Sequence, residues 1–310
     1  ADGYYCGLQE RLTCSGPGVH CASIAAAGNT NFPASQVSGL LQRDITSSGR
    51  DGAACRIAIN GLGPRQERCN SEGDAQDADT WSVYQRGVTL NCGAGAGVTW
   101  TQVSGHVYKT AQSNCGASIS TVTDVYASNP AEGVPGRLTL EEDCDGDSGC
   151  GTDLDPGEYG VVGGNVYVNI GKAPSANAAV YLTYGWNSGA VIRDSTAIAP
   201  GAAHDGVGLG CDFGTEDCVI ERVFGRSAPG YVATCGAGSK GCTIRSSICG
   251  GSDGLGCFRL NAGADAQNLS AAGNDVGIYV YTLDGETSTV TNVAAEAEEV
   301  AVDGRGKGTL

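Results

Sequence analysis

The stretch of this sequence richest in groups that could do chemistry is Glu141-Glu-Asp143-Cys-Asp145-Gly-Asp147-Ser-Gly149-Cys-Gly-Thr-Asp153-Leu-Asp155. Aspartates separated by Gly and Ser let Asp143, Asp145, Asp147, Asp153 and Asp155 converge on one hard cation, so calcium (Ca2+) is the one cofactor expected. The register is not that of an EF-hand, because Leu154 stands twelfth from Asp143, where a bidentate Glu belongs. Two readings follow: a short calcium loop pinned by a Cys144–Cys150 disulfide, or a solvated acidic loop held by the same bridge. A second cluster, Glu72, Asp74, Asp77 and Asp79, is more loosely spaced and reads as solvated surface. His204-Asp205-Gly206 and Asp253-Gly254 offer carboxylates for glycoside hydrolysis, yet turn chemistry alone explains Asp-Gly at both places. No Ser/His/Asp set supports a serine hydrolase, and Gly93-Ala-Gly-Ala-Gly97 lacks the Lys-Ser/Thr of a phosphate loop.

What must position any such residues is a repeat. Gly206-Val-Gly-Leu-Gly-Cys211, Gly230-Tyr-Val-Ala-Thr-Cys235, Gly254-Leu-Gly-Cys-Phe-Arg259 and Gly277-Ile-Tyr-Val-Tyr-Thr282 follow one another, their leading glycines 24, 24 and 23 residues apart. Half a period later come Cys218-Val-Ile-Glu-Arg-Val223 and Cys242-Thr-Ile-Arg-Ser-Ser247, with a weaker copy at Ala190-Val-Ile-Arg-Asp-Ser195. Short β-rich segments, Gly/Asn/Asp/Ser turns and a period near 24 predict an all-β chain, a right-handed parallel β-helix whose coils stack about 4.8 Å apart. An antiparallel sandwich predicts no such period. Stacking puts Ile192, Ile220 and Ile244 in one inner ladder and Cys211 over Cys235. Val37, Leu40, Leu41 and Ile45 fall at helical spacing after Pro33-Ala-Ser35, which predicts a short N-terminal helical cap over the open end of this solenoid. The expected boundaries are a cap segment over 1–46, the β-helix over 47–295 and a C-terminal tail over 296–310. Within that last region, 294–302 reads as a second cap helix or a final strand, and 303–310 as a flexible tail.

Trp100-Thr-Gln-Val-Ser-Gly-His-Val-Tyr-Lys-Thr110, Leu154-Asp-Pro-Gly-Glu-Tyr159 and Gly164-Asn-Val-Tyr-Val168 resemble the front half of extracellular pectate-lyase-like β-helix proteins, and Ser47–Ile59 resembles their early coil. The resemblance covers residues 45–295 and is specific for fold, since that superfamily holds lyases, hydrolases, adhesins and structural fibres alike. If Ile192, Ile220 and Ile244 point inward, Arg193, Glu221 and Arg245 point outward in register. Polysaccharide lyases of this fold resemble that plus–minus–plus ladder: a basic residue takes the C5 proton while calcium neutralises the uronate. Alternating charges on adjacent strands are equally a structural pairing.

The 15 cysteines suit an oxidising compartment, and no CxxC pair points to zinc or thiol redox chemistry. Local pairing would join Cys55–Cys69, Cys92–Cys115, Cys144–Cys150, Cys211–Cys218, Cys235–Cys242 and Cys249–Cys257, each closing a surface turn. Cys6, Cys14 and Cys21 would then supply one further pair and one spare thiol. The chain opens at Ala1 without an initiator Met or an apolar leader, as a mature secreted form would. A net charge of −16 disfavours nucleic acid, and no apolar run approaches the roughly 18 residues of a membrane span. Dense cysteines, absent Met and only 6 percent aromatics favour an extracellular or cell-surface structural protein, a self-associating subunit of a filament, sheath or adhesin. The alternative is a secreted polysaccharide lyase or glycosidase that acts on acidic polysaccharide through Arg193, Glu221 and Arg245.

Overall fold

The computed structural model describes residues 7–16, 20–25, 37–49, 53–73, 81–92, 97–115, 122, 124–127, 136, 138–175, 178–198, 207–212, 214–226, 230–236, 239–250, 256–261, 263–282 and 287–306. The chain divides into two compact units: Ala1–Ala26 with Pro33–Gly87 and Trp186–Leu310, and Ala27–Phe32 with Val88–Gly185.

The first unit is a parallel β-helix. Coil 1 is built from Leu8–Ser15 and Ala22–Ala25, coil 2 from Leu41–Ser48 and Cys55–Ala58, and coil 3 from Arg65–Glu72 and Trp81–Arg86. Coil 4 comprises Val191–Arg193, Thr196–Ile198 and Val207–Cys211. Coil 5 comprises Val219–Glu221, Phe224–Arg226 and Tyr231–Cys235, and coil 6 comprises Thr243–Arg245, Ile248–Cys249 and Gly256–Asn261. Coils 7 and 8 lie within Asp265–Thr282 and Val290–Gly306. Each coil pairs in parallel with the next on three faces. On the first face Ile192, Ile220 and Ile244 stack in register and are fully buried, and on the third Cys211 lies over Cys235. Two-residue strands at Val37–Ser38, Gly61–Leu62, Asn187–Ser188, Thr215–Glu216 and Ser239–Lys240 add a fourth short ladder.

One residue turns the chain from the first face to the second. Arg11, Asp44, Arg68, Asp194, Arg222, Ser246, Asn268 and Asn292 occupy that corner, all with φ between 49° and 55°. The left-handed conformation costs a non-glycine residue about 1–2 kcal/mol, so the corner has to be held by what its side chains touch.

Three boundaries differ from expectation. The segment expected as a helical cap forms strands Val37–Ser38 and Leu41–Ser48. Its inward residues are Gln42, Ile45 and Ser47, so the buried face is partly polar and the apolar spacing misleads. At the other end, Val290–Gly306 is the strand of coil 8, and Asp303 pairs with Tyr279 where a tail was expected. The β-helix is also interrupted: after coil 3 the chain leaves, and Val191 of coil 4 returns in register beside Arg65.

Val88–Gly185 carries the described strands of the second unit. Thr101–Ser104, Val107–Ala111, Asn165–Asn169 and Glu158–Val162 run antiparallel in one sheet. Asp124–Ala127, Val180–Gly185 and Val88–Asn91 make a second antiparallel sheet. Trp100–Thr110 and Gly164–Val168, expected among the coils, belong here. The hairpin turn at Gly163 and Gly164, with φ of 57° and 80°, is the two-residue type that antiparallel strands favour and a coil has no use for. Val125, Val166, Val168 and Leu182 centre its core.

Among the described residues, seven disulfides join Cys14–Cys21, Cys55–Cys69, Cys92–Cys115, Cys144–Cys150, Cys211–Cys218, Cys235–Cys242 and Cys249–Cys257. Cys6 lies outside the described residues. Bridges expected to close surface turns are instead interior: Cys55, Cys69, Cys211, Cys218, Cys235, Cys242, Cys249 and Cys257 are all buried in the β-helix core. Short coils leave little room for large side chains, and a disulfide fills that room while tying one face to the next.

Candidate functional site

Three constellations of polar side chains stand out. The first is the corner column and the column beside it. Along the coils, the residues before the corner read Glu10, Arg43, Glu67, Arg193, Glu221 and Arg245 in register. The corner itself reads Arg11, Asp44, Arg68, Asp194 and Arg222. The two columns alternate in opposite phase, and contacts bridge each coil boundary in turn. Arg43 bonds Glu10 at 2.6 Å, Arg68 bonds Asp44 at 2.5 Å, and Arg193 bonds Glu67 at 2.6 Å. Arg222 bonds Asp194 at 2.7 Å and Arg245 bonds Glu221 at 2.7 Å. One ion pair therefore staples every step from coil 1 to coil 6, and Asn292 donating to Asn268 at 2.5 Å joins coils 7 and 8.

Arg193, Glu221 and Arg245 are thus brought together as expected, within a zipper twice as wide as the sequence suggested. Their charges are met by neighbours. Arg68 holds Asp44 below the usual carboxylate range, and Arg222 does the same for Asp194. Burial opposes ionisation of Glu221, but Arg245 and Arg222 outweigh it and its pKa is lowered. A lyase base needs a basic group whose proton can leave, whereas these guanidiniums are locked on carboxylates.

The second constellation is the aspartate loop. Asp147–Asp153 is a short helix tied down by Cys144–Cys150. Lys109 Nζ donates to Asp147 at 2.6 Å and Tyr167 Oη donates to it at 2.7 Å. Those two bonds hold the Asp147 carboxyl low, while burial and the bond to Asp147 push Tyr167 up to about 12. The backbone N–H of Asp143 bonds Glu141, Thr152 Oγ1 donates to Asp153, and the N–H of Asp155 bonds Glu158. Asp145 and Asp153 both lie close to Gly149, where a Cβ would sit 1.9 Å from Asp145 Oδ1. Among the described residues, no three His, Cys, Asp or Glu side chains converge as a cation site would require. A cleft of about 560 Å³ opens between this helix and Thr101–Ser104, with Lys109, Ser148 and Thr152 on its walls. Of the other acidic candidates, Glu72 ends a coil 3 strand. Asp74, Asp77, Asp79, His204, Asp205 and Asp253 lie outside the described residues.

The third constellation was not anticipated. On the outer side of the third face, Arg259 of coil 6 stands 5.4 Å from the Tyr231 ring of coil 5 and 5.9 Å from the Tyr279 ring of coil 7. The two rings are 6.1 Å apart. Arg259 Nε donates to Asn261 Oδ1 at 3.3 Å, and Thr234 lies beside Arg259 in register. The signal that could have found this group was the repeat, read with the right register. Glycine-to-glycine alignment spaces the coils by 24 and 23 residues. The paired positions Ala233, Phe258 and Ile278 are 25 and 20 apart (258 − 233 and 278 − 258).

The first unit is therefore a disulfide-rich parallel β-helix, the architecture that the repeat predicts. No family model matches the chain, and no curated protein matches it. A solved structure, "The complex structure of XylC with xylose", aligns over 84% of this chain with 9% identity and a TM-score of 0.25. The chain spans 59% of that structure's length. At that score the likeness carries no argument about function. Among the described residues no helix is long and apolar enough to cross a membrane.

Proposed function

We propose that the chain is an extracellular structural protein whose β-helix stacks end to end on further copies, as the subunit of a surface filament or sheath. The observation that supports this reading is the exposure of inward positions in the first and last described coils. Among the described residues, coil 1 pairs only with coil 2 and coil 8 only with coil 7. Inward positions that are sealed in every inner coil are open at the ends. Leu12 is 36% exposed, whereas its register partners Ile45 and Cys69 are fully buried. Val302 is 37% exposed, whereas Ile278 and Phe258 in the same column are fully buried. A parallel strand edge is satisfied by another parallel strand, and the opposite end of a second copy supplies one in the right sense. Such a head-to-tail contact does not close, so it propagates. Interior disulfides suit a particle that must last in an oxidising space.

Negative-stain electron microscopy of the unreduced protein tests this. Filaments with a subunit repeat of about 38 Å, eight coils at about 4.8 Å each, are expected. Leu12→Glu, which places a charge on the open end, is expected to leave short particles. Uniform monomers of 31.2 kDa at every concentration would overturn the reading.

A further inference from the structure

We propose that the outer third face of coils 5–7 is a recognition site for a small carboxylate-bearing ligand, centred on Arg259. The charge of Arg259 is uncommitted. The five zipper arginines, Arg43, Arg68, Arg193, Arg222 and Arg245, each bond a carboxylate. Arg259 is half-buried, and its one hydrogen bond among the described residues runs from Nε to the neutral amide of Asn261. The two Nη groups remain, with the Tyr231 and Tyr279 rings beside the guanidinium. A guanidinium is planar and presents the paired donors that a carboxylate accepts side by side.

Two buried polar groups lie on the same patch without partners. Asn261 is 3% exposed, and because its Oδ1 accepts from Arg259, its Nδ2 is the unpartnered atom and a donor. Thr234 is also 3% exposed, and its Oγ1 has no partner. Native folds rarely bury such groups unsatisfied, and two beside a guanidinium with both Nη groups unbonded make a cluster of donors that lacks an acceptor. A carboxylate offers about four lone-pair sites, enough for both Nη groups and the Asn261 amide. The flanking tyrosine rings suit the carbon skeleton that carries it. The site does not depend on end-to-end stacking, since it lies on the side of the coils.

Isothermal titration with glucuronate and with glutamate tests the site, with glucose and sulfate as the neutral and inorganic arms. Saturable binding of either carboxylate, and of neither control, is expected, and the tighter of the two identifies a sugar acid or an amino acid as the source. Arg259→Gln should weaken binding about tenfold to a hundredfold, and Asn261→Leu about tenfold. Circular dichroism verifies the fold of each variant, and Thr234→Val serves as the third probe should Arg259→Gln fail to fold. Absence of carboxylate binding, sulfate binding as tightly, or unchanged affinity in the folded variants would each overturn the assignment.

Discussion

Coils 1–3 and coils 4–6 occupy the same inner column of the same β-helix and fill it with opposite chemistry. In the front coils the column is Gln9, Gln42 and Gln66, and in the middle coils it is Ile192, Ile220 and Ile244. Each glutamine amide crosses the coil. Gln9 donates to the Ser23 carbonyl, Gln42 to that of Arg56 and Gln66 to that of Tyr84, all at 3.0 Å. The amides also chain to each other, Gln66 to Gln42 at 2.8 Å and Gln42 to Gln9 at 2.7 Å. A one-residue slip would break every one of these bonds, so the polar column specifies register, whereas the isoleucine column rewards only close packing. The columns meet at the step from coil 3 to coil 4, where the chain has been away in its second unit. There Gln66 Oε1 is buried without a partner, facing the column that Ile192 continues. Polar bonds compensate at the same seam: Glu67 takes Arg193, the Cys69 N–H donates to Ser195 Oγ at 3.1 Å, and Gln85 Nε2 reaches the Val191 carbonyl at 2.9 Å.

The largest effect comes from exchanging the two chemistries. Ile220→Gln buries an amide between two isoleucines and is expected to cost about 4 kcal/mol. Ile192→Gln makes a change of the same size one coil earlier, but its amide has the orphaned Gln66 Oε1 as an acceptor. A carbonyl stands at the matching position in both coils, Gly210 in coil 4 and Thr234 in coil 5, so the Gln66 acceptor alone sets Ile192→Gln apart. Ile192→Gln should therefore cost about 2 kcal/mol less than Ile220→Gln. Urea unfolding with the disulfides intact measures both. Equal losses would mean that the glutamine column is not a ladder that can be extended.

The zipper offers a second, smaller test of the seam. Arg193→Ala strips the hydrogen-bonded partner from Glu67, which is nearly buried and keeps only the longer contacts to Arg68 at 3.9 Å and Arg65 at 4.0 Å, and should cost about 2 kcal/mol. Arg245→Ala removes a guanidinium on the exposed side of a carboxylate that keeps Arg222, and should cost below about 1 kcal/mol. A reversed order would place the strain elsewhere than at the coil 3 to coil 4 step.

The middle coils were legible in the sequence because their column is apolar. Val-Ile-Arg, Val-Ile-Glu and Thr-Ile-Arg state both the inward isoleucine and the outward charge, so period and register could be read together. The front coils hide the same geometry behind Gln42 and Gln66, since an inward glutamine looks like a surface residue until its partners are known. Reading Leu40, Leu41 and Ile45 as the buried stripe then yields a helix. The second unit escaped notice because its Val/Tyr strands and Gly turns have the composition of coils, and composition does not say whether the neighbouring strand runs parallel. Arg259 escaped because a glycine can shift within a turn without moving the strand, so glycine spacing drifts away from strand register.

Acid should separate the two halves of the stabilising scheme with the smallest effect of all. Asp44, Asp194 and Glu221 have pKa values lowered in the folded chain, each by at least one arginine of the zipper. A lowered carboxylate stabilises the fold above its unfolded pKa, and that contribution is lost as pH falls through the folded value. Stability should therefore stay level from pH 7 to about 5 and decline below about pH 4. Because Asp44 and Asp194 are exposed and Glu221 alone is largely covered, the decline should be shallow and further flattened by salt, which screens surface pairs. The amide and isoleucine columns carry no titrating group, so hydrogen exchange should remain slow at Gln42 and Ile220 after the corner has loosened. Simultaneous loss of protection at the corner and along both columns would mean that the zipper, and not the core, decides whether the coils stay stacked.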